Sequence, residues 1–363
     1  MQFDFIVDFL QTKSPPLLGV DISSSAVKMV EISDTGNSQY RLDSYVIEAM
    51  PKDAVVDGNI ANLEEVSETI GRAWKRLGTK IKNVALALPS AAVITKKIIV
   101  PQGLREQELE MQVESEANQY IPFALDEVNL DFQIAGPAPN QPEEMEVLIA
   151  ASRKEKVDDR VATAENAGLK VMVMDVEAFA TQSAYELIAH QLPDEGKNLA
   201  VAIIDIGATM MHVSVLHDNQ PVYSREQPFG GNQLTQEIQR QYSLSAEEAE
   251  IAKRQGGGLS ENFEADVLHP FMETLSLEVA RALQFFFSST QYTRVDQILL
   301  GGGCAAIPGL SEIVASRTQT GTLVANPFTD MALAPRVKPR QLAQDAPALL
   351  IACGLALRRF DPL

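Results

Sequence analysis

The stretch LAVAIIDIGATMMHVSVLH, residues 199–217, decides how this chain is read. An apolar run at 200–204 is long enough for a buried strand. Asp205 follows, then Ile206 and the small residues Gly207, Ala208 and Thr209, then a second apolar run at 210–216. Two strands joined by a tight, small-residue turn form a β-hairpin. Charge at the end of an apolar strand costs free energy unless it has a partner. Small residues beside it let backbone N–H groups approach an anion closely. The turn could therefore hold a phosphate, with Asp205 holding a cation beside it. A lone D-x-G-x-T would be read as an aspartate capping a turn.

This one has a counterpart. LLGVDISSSAVKMVEI, residues 17–32, follows the same plan: an apolar strand, Asp21 at its mouth, Ser23, Ser24 and Ser25 in the turn, then a second apolar strand. Asp21 aligns with Asp205, Ile22 with Ile206 and Ser25 with Thr209. Matching hairpins far apart in one chain imply a duplicated α/β fold with a cleft between its halves. Lys28, on the second strand of the first hairpin, has the right sign to meet a phosphate. An exposed strand lysine is an equal alternative for it.

The 363 residues suffice for one large core or two ordinary ones, and 45% hydrophobic with 22% charged residues is a globular balance. The net charge of −19 argues against non-specific nucleic-acid binding and against lying flat on anionic lipid. Two cysteines, Cys304 and Cys353, read as core thiols, and with no signal-peptide pattern they imply a reducing cytoplasmic setting. The four histidines lack metal-ligand spacing. No apolar run approaches transmembrane length.

Working outward, the first residues, MQFDFIVDFLQTK, suggest a short docking helix stopped by Pro15 and Pro16. A strand at 39–49 precedes a helix at 62–77, where Leu63, Val66, Ile70, Trp74 and Leu77 recur at helical spacing. Strands are expected at 83–89 and 93–100. A helix at 106–120 would carry Leu109, Val113, Ala117 and Tyr120 on one side. Strands at 128–134 and 147–152 flank GPAPNQPEE, which reads as a mobile loop. A helix at 157–167 and a strand at 170–174 follow. The next helix, to about residue 190, would be capped by Asp175 or its neighbours.

After the central hairpin comes a strand at 220–227, then the turn Phe229-Gly230-Gly231-Asn232 before a helix at 233–242. Glycine turns at helix N-termini bind anions, though many serve geometry alone. A helix at 245–253 puts Glu250 and Lys253 one turn apart, which alone reads as a surface salt bridge. QGGG breaks it. A long core helix spans 268–292, and a strand spans 295–300. Gly301, Gly302 and Gly303 form a turn, and Pro308 introduces a helix at 307–317. Gly301, Gly303 and Ala306 fit G-x-G-x-x-A nominally, but late in the chain and with no acidic residue at the expected spacing. No Walker A pattern occurs. A last apolar helix at 345–357 should return to the first half.

These pieces in this order resemble the actin-like ATPase superfamily of actin, sugar kinases, heat-shock chaperone ATPases and FtsA. Residues 21–28 look like its first phosphate hairpin, 176–190 like its connecting helix, 205–209 like its second phosphate hairpin and 301–303 like its adenosine loop. Within that group the chain resembles the PilM family of type IV pilus assembly. The segments LLGVDISSSAVKMVEIS, VVDGNI, ITKKIIV, EANQYIPF, DIGATM, REQPFGGNQLTQEIQRQY, LQFFF, VANPFTDMAL and DAPALLIACGLALR carry the likeness.

The resemblance implies an actin-like, ribonuclease H-like duplicated fold: two lobes around a nucleotide cleft, with an FtsA-type inserted subdomain. The expected division is a tail at 1–14, a first-lobe core at 15–82, 170–198 and 339–363, and an inserted subdomain at 83–169. The second lobe would comprise a core at 199–233 and 293–338 and a helical subdomain at 234–292. ATP and Mg²⁺ are implied between the lobes. Backbone N–H groups of Ser23, Ser24, Ser25, Gly207, Ala208 and Thr209 would wrap the phosphates. Asp21 and Asp205 would face Mg²⁺ through its waters, since that ion gives up water reluctantly. Gly230, Gly231, Gly302 and Gly303 would line the nucleoside. Glu250 and Lys253 match the A-E-x-x-K pattern that grips ribose and adenine. Catalytic roles would fall to Asp205 and to Glu177, which would orient the attacking water; a capping carboxylate explains Glu177 equally well.

The implied function is an adaptor that binds ATP, turns it over slowly at most, and captures the N-terminal cytoplasmic peptide of PilN. Through that link it would reach the pilus motor ATPases and the platform protein. It would sit on the cytoplasmic face of the inner membrane through its partner, without inserting, and self-association is open. Two alternatives stand beside it. An FtsA-like filament former would carry a C-terminal amphipathic anchor, whereas this chain ends at Leu363, soon after its last core helix. A small-molecule kinase would need a catalytic base beside a polar substrate pocket, and no such signature is found.

Overall fold

The computed structural model describes residues 15–361 except 37–38, 139–140 and 256–258. The expected N-terminal docking helix and the glycines of QGGG lie outside the described residues. The chain opens with β1 (Leu18–Ile22), β2 (Ala26–Asp34) and β3 (Tyr40–Ala49), a meander. A short hairpin, β4 (Val55–Val56) and β5 (Asn59–Ile60), leads into α1 (Leu63–Leu77) and β6 (Asn83–Leu88). Asn62 caps α1 by accepting from the Glu65 N–H, and Gly78 ends the helix in the left-handed region.

Next come β7 (Val93–Pro101), α2 (Glu106–Tyr120), β8 (Val128–Ala138) and β9 (Gln141–Arg153). Then α3 (Lys154–Asn166), β10 (Lys170–Val176) and α4 (Glu177–Ala189) rejoin the first sheet. The second half holds β11 (Ala200–Ile206), β12 (Met211–His217), β13 (Gln220–Gln227), α5 (Asn232–Tyr242), α6 (Ala246–Gln255) and α7 (His269–Ser289). It continues through β14 (Gln297–Gly301), α8 (Leu310–Thr318), β15 (Gly321–Val324), β16 (Ala332–Leu333), α9 (Pro339–Asp345) and α10 (Leu350–Leu357).

Among the described residues the first sheet runs β10-β6-β1-β2-β3-β16 and the second runs β13-β12-β11-β14-β15. The two share one plan. In each, the first strand pairs antiparallel with the second, the second with the third, and two parallel strands stack on the other flank of the first. The duplication inferred from two hairpins thus extends to five strands of each sheet.

A third sheet, β7-β9-β8, packs against α2 through Ile98, Val100, Val147, Ile149, Leu109 and Val113. Several expectations about this region change. β6 lies between β1 and β10 in the first sheet, and Ala164 of α3 packs into the core beneath it. Both had been expected in the inserted block at 83–169. GPAPNQPEE is largely ladder, because β8 runs to Ala138 and β9 starts at Gln141. Tyr120 is exposed beneath Lys96, whose Nζ lies 4.8 Å from the ring centroid, and Ile121 takes the buried place.

Other corrections are local. Asp175 is the next-to-last residue of β10 and does not cap α4, whose N-cap is Val176 without a side-chain bond. The helix after Gly303 starts at Leu310, because Gly309 takes the left-handed region after Pro308. The last apolar helix is interrupted: α9 and α10 are joined by a single-turn 3₁₀ segment, Ala346–Leu349.

The halves meet along one apolar seam. Val30, Ile32 and Leu42 of the first sheet and Val201, Ile203 and Leu216 of the second share a core with α4 and α10. Helix α10 fits there because two positions lack side chains. A Cβ on Gly19 of β1 would lie 1.9 Å from the Ala352 carbonyl oxygen, and one on Gly354 would lie 1.8 Å from that of Ala180 in α4. Alanine at either position is therefore expected to lower the unfolding free energy in urea by about 3 kcal/mol. Gly71→Ala, inside α1 with open space around it, is expected to raise it by about 0.5–1 kcal/mol. Equal small effects at all three positions would contradict this packing.

Candidate functional site

The duplicated plan brings the two acidic turns face to face. Ser24 Oγ of the first lies 3.4 Å from Thr209 Oγ1 of the second. Each turn is closed alike. The Ser23 N–H donates to the Ala26 carbonyl at 3.0 Å, and the Gly207 N–H donates to that of Met210 at 2.9 Å. Those two N–H groups, expected to face a phosphate, are spent inside the turns. Ser24, Ser25, Ala208 and Thr209 supply the N–H groups not used in that closure. The second turn is strapped from behind: the Gly207 carbonyl accepts from the Gly231 N–H at 3.0 Å, and that of Ala208 from Asn232 at 2.8 Å.

Each acid has a base directly across the ladder: Lys28 opposite Asp21, and His212 opposite Asp205. Lys28 Nζ lies 2.8 Å from Asp21 Oδ2, and the lysine is not an exposed strand residue. Burial works against its charge, but Asp21, Asp205 and Glu177 outweigh it and raise its pKa. His212 Nδ1 lies 3.4 Å from Glu226 Oε1 on β13. Burial opposes the imidazolium. The bond to Glu226 and the charges of Glu177 and Asp205 nevertheless carry it up to about 9. Glu226 is held below the usual carboxylate range mainly by that bond, and its Oε1 also accepts from the Ala91 N–H at 3.0 Å.

Burial pushes the Glu177 carboxyl, in the first turn of α4, up to about 7. Arg160 and His212 resist that rise, while Asp21 and Asp205 add to it. Burial likewise raises Asp205, against Lys28 and His212. Glu177, Asp205 and His212 line a small cavity with Ser90, Thr181, Ser214 and Ser224, closed on its apolar side by Ile203 and Ile351.

Glu250 and Lys253 form a 2.6 Å ion pair on α6. It is tied into α5, because Thr235 Oγ1 lies 2.8 Å from both Glu250 Oε2 and Lys253 Nζ. The pair is therefore more than a solvated surface contact. The glycines serve different ends. A Cβ on Gly230 would lie 2.5 Å from the Ala208 carbonyl oxygen, and one on Gly302, at φ +82°, would lie 2.5 Å from Asp205 Oδ1. Those bare positions let the protein pack on itself at the second turn. Gly231 faces Cys304 and Lys253, and Gly303 faces open space. Burial pushes the Cys304 thiol up to about 11, so it stays protonated. No group of three His, Cys, Asp or Glu residues among those described could hold a metal ion by itself.

Sequence reasoning missed His212, Glu226 and Arg160. His212 was available, because it stands as far beyond Asp205 as Lys28 stands beyond Asp21. Arg160 and Glu226 reach the site only through tertiary packing.

Duplicated sheets and facing acidic turns define an actin-like protein. The solved structure of a PilM-PilN type IV pilus biogenesis complex contains a chain 29% identical to this one, at a TM-score of 0.79, covering 96% of this chain and all of that one. The ethanolamine utilization protein EutJ from Carboxydothermus hydrogenoformans shares the fold, with 16% identity, a TM-score of 0.52 and coverage of 94% and 89%. The cell division protein FtsA of Bacillus subtilis is 22% identical over 293 residues, 75% of this chain but only 62% of FtsA. Residues 19–360 match the family described as Type IV pilus assembly protein PilM, and the chain belongs to that family. Among the described residues no helix is long and apolar enough to cross a membrane.

The His212–Glu226 contact gives a pH test. His212 is raised above its unfolded value, so its stabilising effect is complete below about 6.5 and is lost as pH rises through about 9. In Glu226→Gln the imidazole is expected to titrate lower than in the parent protein, as read by histidine NMR. An unshifted titration would exclude Glu226 as its main support.

Proposed function

We propose that this protein is a nucleotide-binding adaptor of type IV pilus assembly. It holds Mg-ATP between its lobes and binds the N-terminal cytoplasmic peptide of PilN. The observation that carries the nucleotide part is the meeting of Ser24 and Thr209 across the cleft, each beside an aspartate at the same place in a repeated sheet. Family membership and the likeness over the whole chain to a protein solved with PilN support the adaptor part.

The donor set suits the ligand. Asp21 and Asp205 offer hard oxygen atoms, and Mg²⁺ commonly keeps several waters and takes one or two carboxylates plus phosphate oxygens. When bound, the ion would neutralise phosphate charge. Ser24, Ser25, Ala208 and Thr209 would donate N–H groups to the phosphates, and Lys28 would keep Asp21 oriented. The tied pair Glu250 and Lys253, with Gly231 and Gly303, would border the nucleoside. Glu177, poised near neutrality, can take a proton from a water beside the cleft. ATP serves chiefly to set the angle between the lobes, and turnover is slow at most. Through PilN the protein would lie at the cytoplasmic face of the inner membrane and pass its state to the motor ATPases and platform protein.

Calorimetry tests the nucleotide part. Asp205→Ala is expected to weaken Mg-ATP binding tenfold or more, about 1.4 kcal/mol, with the far-UV spectrum unchanged. Unaltered affinity would remove Asp205 from the site. For the adaptor part, a labelled peptide of the first residues of PilN is expected to bind with a non-hydrolysable ATP analogue present. Loss of the complex under those conditions would show that recruitment requires turnover.

A further inference from the structure

Arg160 is 2% exposed and lies on α3, the helix that follows β9 directly. An arginine rarely occupies such a place without firm partners. Its Nη1 donates to the Ile22 carbonyl at 3.2 Å, and its Nη2 donates to that of Gly58 at 2.9 Å. Ile22 is the last residue of β1, directly before the serine turn. Gly58, at φ +75°, is the bend of the β4–β5 hairpin, and a Cβ there would lie 2.7 Å from Pro89 Cγ. Pro89 stands between β6 and the lead into β7. One planar group therefore ties the stem of the first turn to the hairpin and, through Gly58 and Pro89, to the junction where the third sheet departs.

Charge adds to geometry. Arg160 interacts with both Glu177 and Asp21, the acids on the first-lobe side of the cleft. Burial alone lowers its pKa from the arginine value, and the two carboxylates oppose that. Removing it would leave the Ile22 and Gly58 carbonyls without these donors and Glu177 without the largest charge that opposes its neutralisation, both unfavourable in a buried site.

We propose that Arg160 is a positioning residue of the nucleotide cleft, holding the serine turn and its neighbouring acids in place from the helix that anchors the third sheet. The inference rests on the reading of the cleft as a nucleotide site. The guanidinium touches no ligand in this role and acts through Ile22 and the carboxylates. Lysine keeps the charge but cannot reproduce a fork that reaches two carbonyls at once.

The test is calorimetric titration of the full chain with Mg-ATP. Arg160→Met is expected to bind at least tenfold more weakly, and Arg160→Lys to fall between it and the parent. Thr163→Val controls for general loosening of α3, since Thr163 Oγ1 donates at 2.7 Å to the backbone carbonyl of Arg160 and is fully buried. It is expected to lower the melting temperature while leaving the Mg-ATP affinity within twofold. Should Arg160→Met fail to fold, a loss of threefold or more in Arg160→Lys supports the role and parent-like affinity overturns it. Parent-like binding by Arg160→Met, or a loss in Thr163→Val as large as in Arg160→Met, overturns it as well. A parent protein that does not bind Mg-ATP overturns the nucleotide reading and this inference with it, whereas a binding parent with indifferent variants overturns only this inference.

Discussion

Everything in the molecule depends on the approach of α10 to backbone on both sides. Gly19 of β1 and Gly354 of the helix itself remove the side chains that would otherwise hold the chain segments apart. Interiors pack densely, so a helix seated this closely leaves little freedom for the layers it joins. The seam beneath the cleft draws on both sheets and on α4 and α10, and it sets how the two acidic turns stand to one another. Across the cleft from one another, the Ser24 and Thr209 hydroxyls stand 3.4 Å apart.

Above the seam, the cleft is organised by interleaved charge. Each aspartate faces a base across its own hairpin, and the second base is in turn held by Glu226, which reaches the Ala91 N–H. Glu177 sits where these fields meet, in the first turn of α4. Burial raises the Glu177 and Asp205 carboxyls, and the neighbouring cations oppose that rise.

The fold was legible because its deciding signals are local. Two hairpins with aligned acids carried the duplication, and helical periodicity placed α1, α2 and α7 within a few residues. What stayed hidden was non-local. Nothing in the spelling of residues 83–88 says that this strand lies beside β1, because parallel pairing is set by the crossover. Prolines in GPAPNQPEE suggested a loop, yet Pro137 lies in β8 and Pro142 in β9. In the candidate site, turn residues and aspartates could be named from spacing. The spent N–H groups of Ser23 and Gly207, the self-packing of Gly230 and Gly302, and the reach of Arg160 depend on geometry that only the folded chain supplies.

The pairing of acids with bases also separates local from global charge. The chain as a whole carries −19, which repels polyanions at a distance. Screening confines that repulsion to roughly 8 Å at physiological ionic strength. Around the crevice, Lys28, His212 and Arg160 stand against Asp21, Asp205, Glu177 and Glu226, so the local imbalance is far smaller than the overall one. A visitor bearing several negative charges thus meets its obstacle at the rim, and the interior discriminates by shape and by directed N–H groups more than by attraction.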